Sequence, residues 1–282
     1  MTRLHYRLNA LLLPIAVALS TGFPPALAKD TPAGIVPVIR VQRDNWGAQT
    51  EDIEKVLYST AGQILPYFHD RTLKPILVGR VNGVPITLDQ RGPGGEFQVK
   101  LGCDSTFWAQ YTYQFAHELC HVLASVDPPH RGRHQWFEES LCETSSLFVL
   151  SRMRVAWDRN PPYRNWRRWG IHYDEYLNAM LAERARRLAP DQTMSQWVTT
   201  NLPELEKEQK LTEHSQLAAA YLLALFQDQP EGWEAVTWLN TGADYDENLG
   251  FEAHLRAWRK RVPERHKAFV GKIQHLFGYH AG

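Results

Sequence analysis

The chain has 282 residues, of which 44% are hydrophobic, 22% charged and 11% aromatic. Ten Trp and this apolar share exclude a disordered chain, and the length suits one large domain or two lobes around a sizeable core. Lys plus Arg (31) equals Asp plus Glu (31), so no basic excess draws the chain to nucleic acid or an anionic membrane.

Residues 1–28 have the layout of a secretory signal peptide: Arg3 and Arg7, an apolar run over residues 10–20, and Ala26-Leu27-Ala28 as a small-x-small ending, with cleavage expected after Ala28. The run is short of the roughly 20 apolar residues of a membrane span; an uncleaved anchor is the alternative reading. No later segment is apolar enough to span a bilayer, so a periplasmic or secreted protein without stable membrane insertion is expected. Export permits a disulfide among Cys103, Cys120 and Cys142. Cys120 and Cys142 fall on helices expected to face each other and are the candidate pair; two buried free thiols are the alternative.

Residues 29–45 read as an extended leader with Pro32 and Pro37, and residues 51–68 carry a helical apolar stripe from Ile53 to Leu65. Strand-like runs follow at 76–81, 84–88 and 97–101, the last two joined as a hairpin by the turn-rich residues 90–95. Asp104 and Ser105 are N-cap candidates for a helix over 106–124, stopped by Asp127-Pro128-Pro129, and a second helix is predicted over 135–155. Helical signals then dominate at 173–188, 195–201, 212–227, 233–240 and 251–277. The pattern predicts an α+β protein. A small β-containing lobe (29–105) is followed by a mainly helical lobe (106–282), the two making one compact unit with a cleft between them.

His117-Glu118-Leu119-Cys120-His121 is an H-E-x-x-H sequence inside a predicted helix. Residues at i and i+4 share a helical face, so both imidazoles can point at one ion. Glu118, turned about 100° away, sits beside that ion, where a carboxylate can take a proton from water. The alternative is a pair of hydrogen-bonded core histidines with a surface Glu. Two helices joined by a short Pro-rich turn lie antiparallel, which brings Glu139 back toward the histidines as a third ligand. Glu143, at i+4 from Glu139, is placed to accept an Nδ1 proton and orient a ring. Glu138 competes with Glu139 for the ligand role, and solvated helix charges are the alternative for both Glu139 and Glu143.

His117, Glu118 and His121, with the run Glu138-Glu139-Ser140-Leu141-Cys142-Glu143, resemble the gluzincin metallopeptidases, the group of thermolysin and the leukotriene-hydrolase-type aminopeptidases. Glu138 stands where Asn is usual in that pattern. The resemblance covers about 40 residues and implies a zincin-like fold, one Zn2+ held by His117, His121 and Glu139, and hydrolysis of peptides. It further implies an edge strand ahead of the metal helix that binds substrate backbone, a place that residues 96–101 fit, with Phe97, Val99 and Leu101 among them. An ordinary hairpin arm is the alternative. The order of later segments resembles the aminopeptidase layout in which a Tyr steadies the oxyanion, with Tyr221 as candidate, His214 as rival, and a core role as alternative.

The expected function is thus an exported zinc metallopeptidase acting on a peptide or protein substrate. A zinc hydrolase for another carbonyl, and a non-enzymatic zinc-binding or regulatory protein, are the competing readings. The basic-aromatic run 164–169 and the histidines His130 and His134 are read as surface or cleft wall.

Overall fold

A computed structural model of the chain describes residues 37–69, 73–124, 132–207, 212–242 and 245–280. The leader with its cleavage point, residues 29–36, the Asp127-Pro128-Pro129 stop and His130 lie outside the described residues.

The first lobe carries β1 (Ile39–Val41), α1 (Thr50–Ala61), β2 (Ile76–Arg80), β3 (Ile86–Leu88) and β4 (Phe97–Leu101). In α1 the buried side chains Ile53, Val56, Leu57, Thr60 and Ala61 repeat at helical spacing, and Glu51 and Asp52 in the first turn suit the positive end of the helix dipole. The strands form one sheet in the order β1-β2-β4-β3. β1 with β2 and β2 with β4 are parallel, Ile76 facing Phe97 and Val78 facing Val99; β3 and β4 are the expected antiparallel hairpin, Thr87 facing Val99.

This order corrects the expectation for residues 97–101. β4 is an inner strand, and Phe97, Val99 and Leu101 point into the core rather than toward a substrate. The cause lies in the side chains. β2 and β4 each carry a row of large apolar residues that must be hidden on one face, whereas β3 follows Pro85, is three residues long and leaves Ile86 exposed. The sheet edge nearest the helical lobe is therefore β3.

The helical lobe contains α2 (Trp108–Ala124), α3 (Gln135–Arg159), α4 (Gly170–Ala182), α5 (Met194–Leu205), α6 (Thr212–Asp228), α7 (Phe251–Arg261) and α8 (Glu264–Leu276), with short 3-10 turns such as Arg184–Arg186 and Pro230–Trp238. α2 starts two residues later than expected, after a tight turn in which Ser105 takes a positive φ of 51°. The helical stretch over 251–277 is two helices, because Pro263 lacks the N–H needed to carry α7 onward. At α5, Thr193 and Gln196 form a capping box.

α3 is the central rod, packed against α2, α4 and α6 and buried along most of its length. α2 lies between it and the first lobe, touching α1, β3 and β4. Phe137, Phe251, Phe277 and Trp258 interlock edge to face beneath the start of α3. Among the described residues no helix is long and apolar enough to cross a membrane.

Candidate metal centre

The contacts between α2 and α3 fix their relative direction. Ser146 Oγ donates to Tyr113 O (2.7 Å) and Ser145 Oγ to Ala116 O (3.0 Å), His117 meets Glu139, and His121 meets Glu138. As residue numbers rise along α2 they fall along α3, so the helices are antiparallel. Two buried serines at the crossing let the backbones come close, since each hydroxyl satisfies a carbonyl of the facing helix.

That crossing brings three side chains to one spot. Nε2 of His117 is 3.1 Å and Nε2 of His121 3.5 Å from the same oxygen, Oε2 of Glu139. The outer nitrogens face carboxylates too: His121 Nδ1 is 2.7 Å from Glu138 Oε1, and His117 Nδ1 is 3.8 Å from Glu143 Oε2. Each ring is thus held by an acid on both sides, with its Nε2 turned inward. Beneath them, the Cys142 sulfur lies within 4.8 Å of a nitrogen from each ring, and His117, His121 and Cys142 form a group that could hold a metal ion.

The charges reinforce this arrangement. Burial works against a charged His117, yet hydrogen bonds to Glu139 and Glu143 and the charge of Glu118 push it up to about 10. Burial likewise opposes a charged His121, and Glu138 and Glu139 raise it well above its ordinary value. For Glu139 burial favours the neutral acid, but the two rings hold the carboxyl far below the usual carboxylate range. Glu143 is lowered against its burial by His117, Arg186 and Tyr113. Protons on the rings would balance these carboxylates in the absence of an ion, and a divalent ion would displace them.

A further layer holds the orienting acids. The Tyr113 hydroxyl sits 2.5 and 2.6 Å from the two Glu143 oxygens, and Arg186 Nη2 is 2.7 Å from Oε1. Asn240 Nδ2 donates to Glu138 Oε2 at 2.6 Å. Glu118, whose charge acts on His117, faces Thr87 of the sheet, is 2% exposed, and accepts a 2.8 Å hydrogen bond at Oε2 from Thr87 Oγ1. The sequence reading missed Tyr113, Arg186, Asn240 and Thr87. Tyr113 alone had a local signal, since it lies four residues before His117 on the same helical face.

Other expected participants are placed elsewhere. The Tyr221 hydroxyl on α6 accepts the Leu188 N–H at 3.2 Å, and His214 packs its ring against Trp197. These contacts are with neighbouring turns and helices. All three cysteines are free and buried. Cys142 and Cys120 do face each other, but as hydrogen-bonded thiols, and burial pushes the Cys142 thiol well up. No family model, no curated protein and no solved structure matches this chain.

Proposed function

We propose that this protein is a zinc-dependent hydrolase of peptide bonds. One observation carries the reading: both inward nitrogens, from His117 and His121, face a single Glu139 oxygen at 3.1 and 3.5 Å. Donors placed about 2.0–2.1 Å from a tetrahedral zinc stand about 3.3–3.4 Å from one another, and the two distances to the Glu139 oxygen lie close to that spacing, which supports the reading.

Glu139 is a better third donor than Cys142. Its side chain is 25% exposed, which leaves room for water and substrate on that side. Cys142 is sealed in the core, and burial and its bond to Cys120 favour the protonated thiol. The proximity of that sulfur nonetheless supports a second reading, a non-catalytic metal site of His117, His121 and Cys142.

When bound, zinc supplies a Lewis acid that makes a water acidic and polarises a carbonyl. The chain's own residues do the rest. Glu118 takes a proton from the attacking water and returns it to the departing amine. Glu138 and Glu143 keep Nδ1 of each ring turned outward and Nε2 inward. β3, beside Glu118, has no partner on its outer side among the described residues, and an extended peptide can add there as a further strand. The gluzincin resemblance of residues 117–143 supports a peptide as substrate.

The test is Glu118→Gln. The zinc-loaded parent is expected to cleave a mixed peptide library, while the variant keeps one zinc per chain and loses about 10²–10⁴-fold in rate. A variant as active as the parent, or a parent that cleaves no peptide, rejects the reading.

A further inference from the structure

Glu118 must be held so that one oxygen meets water while the rest of the carboxylate stays still. Its side chain leaves α2 on the side facing the sheet, and its hydroxyl partner there is Thr87, whose Oγ1 lies 2.8 Å from Oε2 and 3.2 Å from the Glu118 main-chain oxygen. Thr87 is the middle residue of β3, opposite Val99 of β4, in the strand that has no further strand on its outer side among the described residues. The same residue therefore belongs to the peptide-docking edge and to the grip on the base.

We propose that Thr87 is a positioning residue for Glu118, coupling occupancy of the β3 edge to the orientation of the catalytic carboxylate. This rests on the peptidase reading above. A glutamate carboxylate turns freely about its last torsion, and a hydroxyl donor on Oε2 fixes that rotation and leaves Oε1 to take the proton. A peptide pairing with β3 stiffens the strand from its open side, and Thr87 carries that order to the carboxylate.

The experiment uses the zinc-loaded mature chain and a pool of quenched fluorescent peptides. Thr87→Val keeps the branched shape suited to a strand but removes the donor. It is expected to lower kcat by about 10- to 100-fold with KM unchanged within about twofold, a misalignment effect. Thr87→Ser, which keeps the hydroxyl, is expected to recover most of kcat, and zinc content is expected to equal the parent's in both. Independently of turnover, acetohydroxamate is a metal chelator whose proton needs an acceptor beside the ion, and it should bind more weakly to Thr87→Val than to Thr87→Ser. Thr87→Ala serves as the donor-free variant if the valine variant is not folded by circular dichroism.

Parent-like kcat in the donor-free variant overturns the role of Thr87 while leaving the peptidase reading intact. An equal loss in the serine and valine variants, or a loss confined to KM, also overturns it, because a purely structural or docking role would give those results. A parent inactive on every peptide, or unaffected by Glu118→Gln, removes the peptidase reading and this proposal with it.

Discussion

The guanidinium of Arg186 lies 2.7 Å from the carboxylate of Glu143, and the Arg186 side chain has no solvent exposure. Glu143 in turn faces Nδ1 of His117, so Arg186 supports the His117 ring from one step behind it. Removing one member of a buried ion pair strands the other charge, which costs about 3–5 kcal/mol. Arg186→Met is expected to lose that much stability in urea titration and to weaken zinc affinity by about 10- to 100-fold in a chelator competition. If affinity stayed at the parent value in the folded variant, Arg186 would not be acting through Glu143.

The identity of the third donor separates the catalytic reading from the non-catalytic one. Glu139→Gln keeps the shape but replaces an anionic ligand by a neutral amide, and is expected to lower zinc affinity by at least about 100-fold. Cys142→Ser, changed in a sealed position next to Cys120, is expected to leave affinity within about threefold while costing about 1 kcal/mol of stability, a typical single-substitution effect. The reverse pattern, with affinity lost in the serine variant and kept in the glutamine one, would assign the ion to His117, His121 and Cys142. Isothermal titration with zinc reads both.

How far the sequence reaches is set by whether a relationship is local. His117, His121 and Tyr113 lie on one face of α2, while Glu139 and Glu143 lie on one face of α3, so helical periodicity alone groups them. The antiparallel pairing follows from the short connection, and the α+β order from the run of strands before the run of helices. Thr87, Arg186 and Asn240 come from a strand edge, a 3-10 turn and the residues after another, and no spacing links them to their partners. The identity of the edge strand is hidden from the sequence for a related reason. Both arms of a hairpin look alike locally, and the arm that goes inside is decided by β2, which pairs with β4 through a parallel register that no turn signals. The break at Pro263, by contrast, is readable, since a proline amid a long helical run removes an N–H and favours a stop there.

Acid sensitivity should centre on His254, which is 2% exposed. Burial, then the nearby His134 and Arg261, depress it to about 3. An unfolded imidazole takes a proton below about 6.5, and the folded one does not until far lower pH. This contribution to stability is therefore complete above about pH 6.5 and is lost as pH falls from there toward about 3, by at most about 1.4 kcal/mol per pH unit. Between pH 6.5 and 5 the parent should lose about 2 kcal/mol more than His254→Phe in urea titrations. Parallel pH profiles for the two proteins would show that His254 is not the group responsible.

Metal removal should weaken the protein without unfolding it. The helices that carry the ligands are joined by a core independent of any ion: Phe115, Leu119 and Val122 on α2 and Leu141, Leu147 and Phe148 on α3 are all buried. In the metal-free state His117 and His121, protonated, pair with Glu139, Glu138 and Glu143, which offsets the repulsion among the acids. Zinc present at about a thousand times its Kd adds about 4 kcal/mol. In a chain of this size each kcal/mol moves Tm by about 2–4 °C. A chelator should therefore lower Tm by about 10 °C and leave a cooperative transition, and added zinc should restore it. A structural zinc behaves differently, since domains built on one are unfolded without it. Loss of the whole transition on chelation would place the ion among the supports of the fold and remove the reason for an open coordination position beside Glu118.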